Sequence, residues 1–239
     1  MTNSSTPSSS SSKTSAKNAR AFISPSDLTF AWDGCHRCLW LKYNHGVSAP
    51  LFMPLVGELS ALQEAHFDNA DAKNVAPVLP AGRVRDRGGW VKSRPIEVQG
   101  RETSYAIRGK YDLLIDFDDG TVGIIDCKFQ GRDTDKSDFY AAQLEAYAFA
   151  LENPAQGDPQ MVSVLGLLVW SPKNPHGNPA DGYQLNLNWS WRPIERNPAA
   201  LTRRLGDFIY VISGATPERD SGCEQCRYIA QRREIFGNE

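Results

Sequence analysis

Two C-x-x-C pairs, Cys35-His36-Arg37-Cys38 and Cys223-Glu224-Gln225-Cys226, stand near opposite ends of this chain. No other feature constrains the fold so strongly. A C-x-x-C loop directs two thiolates at one ion or cluster. Two such loops, separated by almost the whole chain, require the first and last parts of the fold to meet in space. Two disulfides or two redox pairs are the competing readings. Nothing in the chain suggests secretion, and a reducing cytosol disfavours structural disulfides. No βαβ pattern puts either pair in a thioredoxin-like setting. The four thiolates therefore read as a metal staple. The fifth cysteine, Cys127, stands apart from both pairs.

The rest of the composition fits one sizeable domain. Apolar residues make up 41% of 239, enough for a substantial core. No apolar run approaches the roughly 18 residues that span a bilayer, so a membrane role is not expected. The Ser-rich start lacks the apolar core of a secretory signal. We expect residues 1–20 to be a disordered tail, 21–239 to be a single domain, and the protein to be cytoplasmic. The net charge of −2 argues against a surface that grips nucleic acid everywhere. Local clusters such as Arg83, Arg85 and Arg87, or Arg232 and Arg233, leave a basic groove open.

The second informative stretch is a hairpin. Gly109 to Ile115 reads as a strand, Asp118-Asp119-Gly120 as a turn, and Val122 to Ile125 as a strongly apolar strand ending in Asp126-Cys127-Lys128. Asp112 and Asp126 are equally far from residue 119. With a three-residue loop they oppose each other, their Cβ atoms about 5 Å apart. Strand alternation puts Lys128 on the same face and turns Cys127 to the buried one, as a small hydrophobe. Two adjacent anions repel unless a cation lies between them, and a hard divalent ion suits carboxylate oxygens. An ordinary ion pair at a strand end is the alternative. Asp71-Ala72-Lys73, read as a solvated helix end, shows that the tripeptide alone says little. A two-residue loop would put the carboxylates on opposite faces.

A helix follows at 137–151, with Leu144, Tyr147, Ala148 and Leu151 at helical spacing and Asn153-Pro154 as its stop. Gln143 and Tyr147 share one of its faces. The order Gly109-x-x-Asp112, Asp126-x-Lys128, Gln143-x-x-x-Tyr147 resembles the PD-(D/E)XK nuclease superfamily, in particular its RecB-like branch, over roughly residues 24–235.

That resemblance implies an α/β fold with a restriction-endonuclease-like core: a central mixed β-sheet flanked by helices, with the N- and C-terminal segments joined by the four-cysteine metal site. It implies a divalent-metal-dependent nuclease hydrolysing phosphodiester bonds, of DNA by resemblance, with exonuclease action one form. Asp112, Asp126 and the Cys127 backbone carbonyl would hold Mg²⁺ or Mn²⁺. Lys128 would act as the catalytic ammonium, Gln143 on the following helix would join the catalytic set by positioning the metal-bound water or the Lys, and Tyr147 would belong to that helix near the site. The G-x-x-x-H metal ligand of RecB-like relatives would fall on Ala61, counting from Gly57, which leaves Glu58 or Glu64 as substitutes. Such nucleases often work beside a helicase or other repair and recombination proteins. Several hold a [4Fe–4S] cluster by one upstream Cys and a downstream C-x-x-C-x-x-x-x-x-C. Here the last position is Arg232, and Cys38 is an extra upstream thiolate. The paired spacing favours Zn²⁺ and the resemblance favours iron–sulfur. A non-catalytic nucleic-acid-binding or assembly module on the same fold is the second functional reading. A redox or zinc scaffold is the third.

Elsewhere, a helix is expected from Ser24-Pro25-Ser26-Asp27 to about Tyr43, and another from Pro54 to about Asp71. Residues 72–89 read as a connector. Strands are expected at 90–98, 103–110, 162–170 and 183–191, a Pro-rich loop at 171–182, and a helix at 199–212. Trp189 and Trp191 are expected to pack in the core.

Overall fold

The computed structural model describes residues 20–49 and 55–237, so the Ser-rich tail to residue 19 and Pro54 lie outside the described residues. The central layer is a five-stranded mixed sheet. It contains β2 (Gly82–Arg87), β5 (Leu113–Phe117), β6 (Val122–Phe129), β7 (Val162–Asn178) and β8 (Gly182–Ile194), in the order β2-β5-β6-β7-β8. Within this sheet only β6 and β7 pair in parallel. A parallel pair needs a crossover, and α4 (Ser137–Glu152) provides it. A second, three-stranded sheet, β1 (Phe22–Ile23), β4 (Arg101–Lys110) and β3 (Trp90–Val98), packs beside it. The helices α1 (His36–His45), α2 (Val56–His66), α3 (Ala72–Val75), α5 (Pro198–Ser213) and α6 (Glu224–Phe236), with a 3₁₀ turn at Pro25–Leu28, complete the described elements.

Two apolar clusters lie on the two faces of β6. Ile124 packs with Leu144, Ala148 and Leu151 of α4 and with Leu205 and Phe208 of α5. Ile125 and Cys127 pack with Phe67, Val75, Leu79 and Leu168. The alternation that makes this possible also turns Asp126 toward α4. Helix α5 forms for reasons visible in its sequence. Asn197 accepts a hydrogen bond from the Ala200 N–H (2.9 Å), Pro198 occupies the first turn, and Leu201, Leu205, Phe208 and Ile212 recur on the buried face.

Several expectations need correction. The strand expected at 109–115 is two strands in two sheets, broken at Tyr111–Asp112. The chain changes partner there: β4 pairs with β3, and β5 with β2 and β6. The connector at 72–89 contains α3 and β2. Asp71 begins α3 instead of ending a helix, and it accepts a hydrogen bond from Arg83 at 2.9 Å. The first long helix is a short 3₁₀ turn, Pro25–Leu28, followed by a reversal and α1. Buried Asp27 explains the reversal, because its carboxylate accepts from Tyr43 (2.9 Å) and pairs with Lys42 (2.5 Å), folding the turn back onto α1. The second helix stops at His66.

The Pro-rich loop at 171–182 is strand, for β7 and β8 continue as a two-stranded arm to Asn178 and Gly182. Its irregularity lies between Pro172 and Pro175, where a bulge tolerates the missing N–H groups. Trp189 stands on this arm and is exposed instead of buried; Trp191 is half-buried. Helix α6 had no counterpart among the expected elements.

Gly109 sits where β4 passes under α4. A Cβ there would come within 2.6 Å of Pro25 and 2.9 Å of the Tyr147 ring. Gly109→Ala should therefore cost about 1–3 kcal/mol, read as a lower urea midpoint at unchanged m-value.

Candidate metal and nuclease site

The hairpin register is centred on residue 119. Leu113 pairs with Ile125, Leu114 with Ile124, Ile115 with Gly123 and Asp116 with Val122. The loop closes through Phe117 and Thr121, joined by a 3.0 Å backbone hydrogen bond, and Gly120 supplies the positive φ of +83° that the turn needs. Continuing that register places Asp112 opposite Asp126, although Asp112 lies in the break just before β5. There its Oδ2 accepts the Cys127 backbone N–H at 2.7 Å. The partner change between sheets thus leaves a carboxylate free to bond across the ladder.

Asp126 is almost fully buried. Its Oδ1 accepts from Gln143 Nε2 at 2.9 Å, and its Oδ2 pairs with the Lys128 ammonium. Gln143 Oε1 is buried without a partner. Tyr147 stands one turn further along α4, where its hydroxyl donates to the Lys110 carbonyl at 2.7 Å and ties α4 to the end of β4. So Asp112, Asp126, Lys128 and Gln143 come together, Tyr147 packs behind them, and Cys127 points into the opposite apolar cluster.

The electrostatics show strain between like charges. Burial pushes the Asp112 carboxyl up, and the Asp126 charge pushes it further, to about 8, against the opposing pull of Lys128. Burial pushes Lys128 down, but Asp126 and Asp112 outweigh it and keep it firmly protonated. One cation thus serves two carboxylates. Of the two glutamates on α2, Glu58 is exposed in the first turn, whereas Glu64 is half-buried and turned toward the site. Burial raises the Glu64 carboxyl, Lys110 and Arg87 draw it down, and Asp126 pushes it up. Glu64 lies one helical turn beyond Ala61.

The sequence reading missed Tyr140. Its ring lies 4.7 Å from the Lys128 ammonium and it is buried. The aromatic face stabilises the charge and limits where the ammonium can go. A signal was present, since Tyr140 is three residues before Gln143 and so on the same helical face.

A hard divalent cation fits the donors. They are carboxylate oxygens with a single ammonium between them, and such an ion would offset both the burial and the Asp126 charge that lift Asp112. At the other end of the molecule the four cysteines of the two C-x-x-C pairs gather, with no two sulfurs more than 4.8 Å apart. None forms a disulfide. Cys35 and Cys223 are the N-cap residues of α1 and α6, where the helix ends favour negative charge. Burial pushes the Cys35 thiol up, but hydrogen bonds with the backbone of Asp220, Cys38 and Arg37 outweigh it and hold it at about 7. None of the described helices is long and apolar enough to cross a membrane.

Among solved structures the chain is similar to the one titled "Crystal structure of SSO0001". The TM-score is 0.51 and the identity 16%, over 90% of this chain and 88% of that one, a likeness of fold alone. No curated protein sequence matches the chain. The family model described as the PD-(D/E)XK nuclease superfamily matches residues 57–231, the span that holds the opposed carboxylates, Lys128 and the α4 glutamine. This chain belongs to the PD-(D/E)XK nuclease superfamily.

Proposed function

We propose that the protein is a divalent-metal-dependent nuclease that hydrolyses phosphodiester bonds of DNA. The observation that carries this reading is the buried cluster of Asp112, Asp126, Lys128 and Gln143 in a chain of this superfamily. Asp112, Asp126 and the Cys127 carbonyl would hold Mg²⁺ or Mn²⁺, with Glu64 as the further carboxylate in place of the histidine that Ala61 lacks. When bound, such an ion polarises the phosphoryl group and lowers the pKa of a coordinated water.

The chain's own residues do the rest. Lys128 is fixed by Asp126 on one side and the Tyr140 ring on the other, so its charge is in place before a phosphate arrives. A preorganised cation stabilises charge developing on the phosphate without reorganising at that moment. Gln143 holds Asp126 by one oxygen and leaves the other toward the site. A RecB-like mode of action, exonucleolytic cleavage and a helicase or repair partner extend the same reading by resemblance.

The direct test is incubation with end-labelled single- and double-stranded DNA in Mg²⁺ or Mn²⁺. Asp126→Ala and Lys128→Ala should each lower the rate about 10²-fold or more. Equal degradation by wild type and both variants, or no cleavage by wild type, would sink the reading. In the second case, retained DNA binding would support a non-catalytic module.

Metal binding can be followed without catalysis. Saturating Mn²⁺, at about 100 times its Kd, should stabilise the wild type by about 2.7 kcal/mol. Melting curves of Asp112→Asn should show little of this gain. Glu64→Gln should shift the Mn²⁺ titration to higher concentration, while Glu58→Gln should leave it where it was. A shift with Glu58→Gln alone would remove Glu64 from the site.

A further inference from the structure

We propose that the four thiolates hold a single tetrahedral zinc ion rather than an iron–sulfur cluster, and that this ion is the latch fastening α6 to the fold. The distances between sulfurs decide the first point. Sγ of Cys35 and Cys226 are 3.8 Å apart, as Cys38 and Cys223 are at 3.7 Å and Cys38 and Cys226 at 3.7 Å. With a zinc–sulfur bond of about 2.3 Å, the edge of a regular ZnS₄ tetrahedron is about 3.8 Å. In a [4Fe–4S] cluster each thiolate binds a different iron, which spreads the sulfurs to roughly 6 Å apart. No pair here exceeds 4.8 Å. The cluster suggested by resemblance therefore does not fit, and Arg232, which replaces the expected third downstream cysteine, lies against Phe236 of its own helix instead.

The ligand set supports the same ion. Each C-x-x-C begins a helix, so both loops present one sulfur at the cap and the next at the first turn. Two such pairs facing each other close a four-coordinate site with no open position, the arrangement of a structural zinc.

The latch follows from what α6 lacks. None of its residues is buried, and Tyr228, Ile229, Ile235 and Phe236 are exposed. Upstream, Trp40 donates to the Gly214 carbonyl (3.0 Å) and Asn44 to the Ile212 carbonyl (2.8 Å), which fixes the end of α5 to α1. Beyond residue 214, the hydrogen bonds among the described residues run within the segment, except those at the thiolates. A helix of 13 residues with no buried face is marginal by itself. Four zinc–sulfur bonds supply what packing does not. The nuclease core keeps its own two apolar clusters, to which α6 contributes nothing.

The test uses the full chain purified without oxygen, so that a labile cluster would survive. Zinc at about one per chain, no acid-labile sulfide and no absorbance near about 400 nm are expected. Replacement by Co²⁺ should give the visible bands of a tetrahedral thiolate site. About four irons with sulfide per chain, or a stable cluster after reconstitution with iron and sulfide, would overturn the zinc assignment. Hydrogen exchange on the same preparation tests the latch. Chelation, or Cys226→Ser, should abolish protection across 224–236 while the amides of β6 and α4 keep theirs. Unchanged protection of α6 would overturn the latch, as would loss of protection throughout the core. Neither readout depends on nuclease activity.

Discussion

Two carboxylates held together in a nearly dry site have to be answered by something, and much of this fold is that answer. Asp112 and Asp126 face each other because the hairpin is centred on residue 119. Burial, and then the Asp126 charge, raises Asp112, and the two carboxylates hold Lys128 protonated. Around them, the Cys127 N–H, Gln143 and the Tyr140 ring each take one part of the load. The parallel crossover is what brings α4 over the site, since β6 and β7 can pair in parallel only if a long element returns the chain. Without α4, Asp126 would keep Lys128 but lose the Gln143 donor, and breaking one partner of a buried charge is costly.

The break between β4 and β5 is as important as the pairing. The Asp112 carbonyl accepts the Gly88 N–H at 2.8 Å on one side of the break. On the other side the β5–β6 ladder stops at Leu113, so the Cys127 N–H is left to the Asp112 carboxylate. Gly109 and Tyr147 secure that junction from the α4 side, the glycine by having no side chain and the tyrosine by its bond to the Lys110 carbonyl. The site and the join between the two sheets are thus one structural feature.

At the far side of the fold a different economy applies. The core is built by burial, with α5 and α4 on one face of β6 and α3 on the other. Helix α6 has no fully buried residue, and its Cys226 and N-cap Cys223 meet Cys35 and Cys38. With the proposed zinc, the chain would join one segment by ligands while the rest is joined by packing. These two modes respond to different agents, chelators in one case and denaturants in the other.

The hairpin, its register, the helix that follows and the convergence of the cysteine pairs were legible in the sequence. Each rests on local periodicity, on arithmetic about a turn or on C-x-x-C spacing, and Asp112, Asp126, Lys128, Gln143 and the four cysteines came together accordingly. What the sequence could not carry was partner choice. Residues 109–115 alternate like a single strand, and nothing local reveals that two sheets divide them. Pro172 and Pro175 read as a loop because their tolerance in β7 depends on a bulge against β8. Glu58 and Glu64 are equally helical glutamates until the placement of α2 turns one of them toward the site. Tertiary structure decided these points because strand pairing, burial and the distance between sulfurs are relations among segments, and a one-dimensional pattern records only what each segment favours alone.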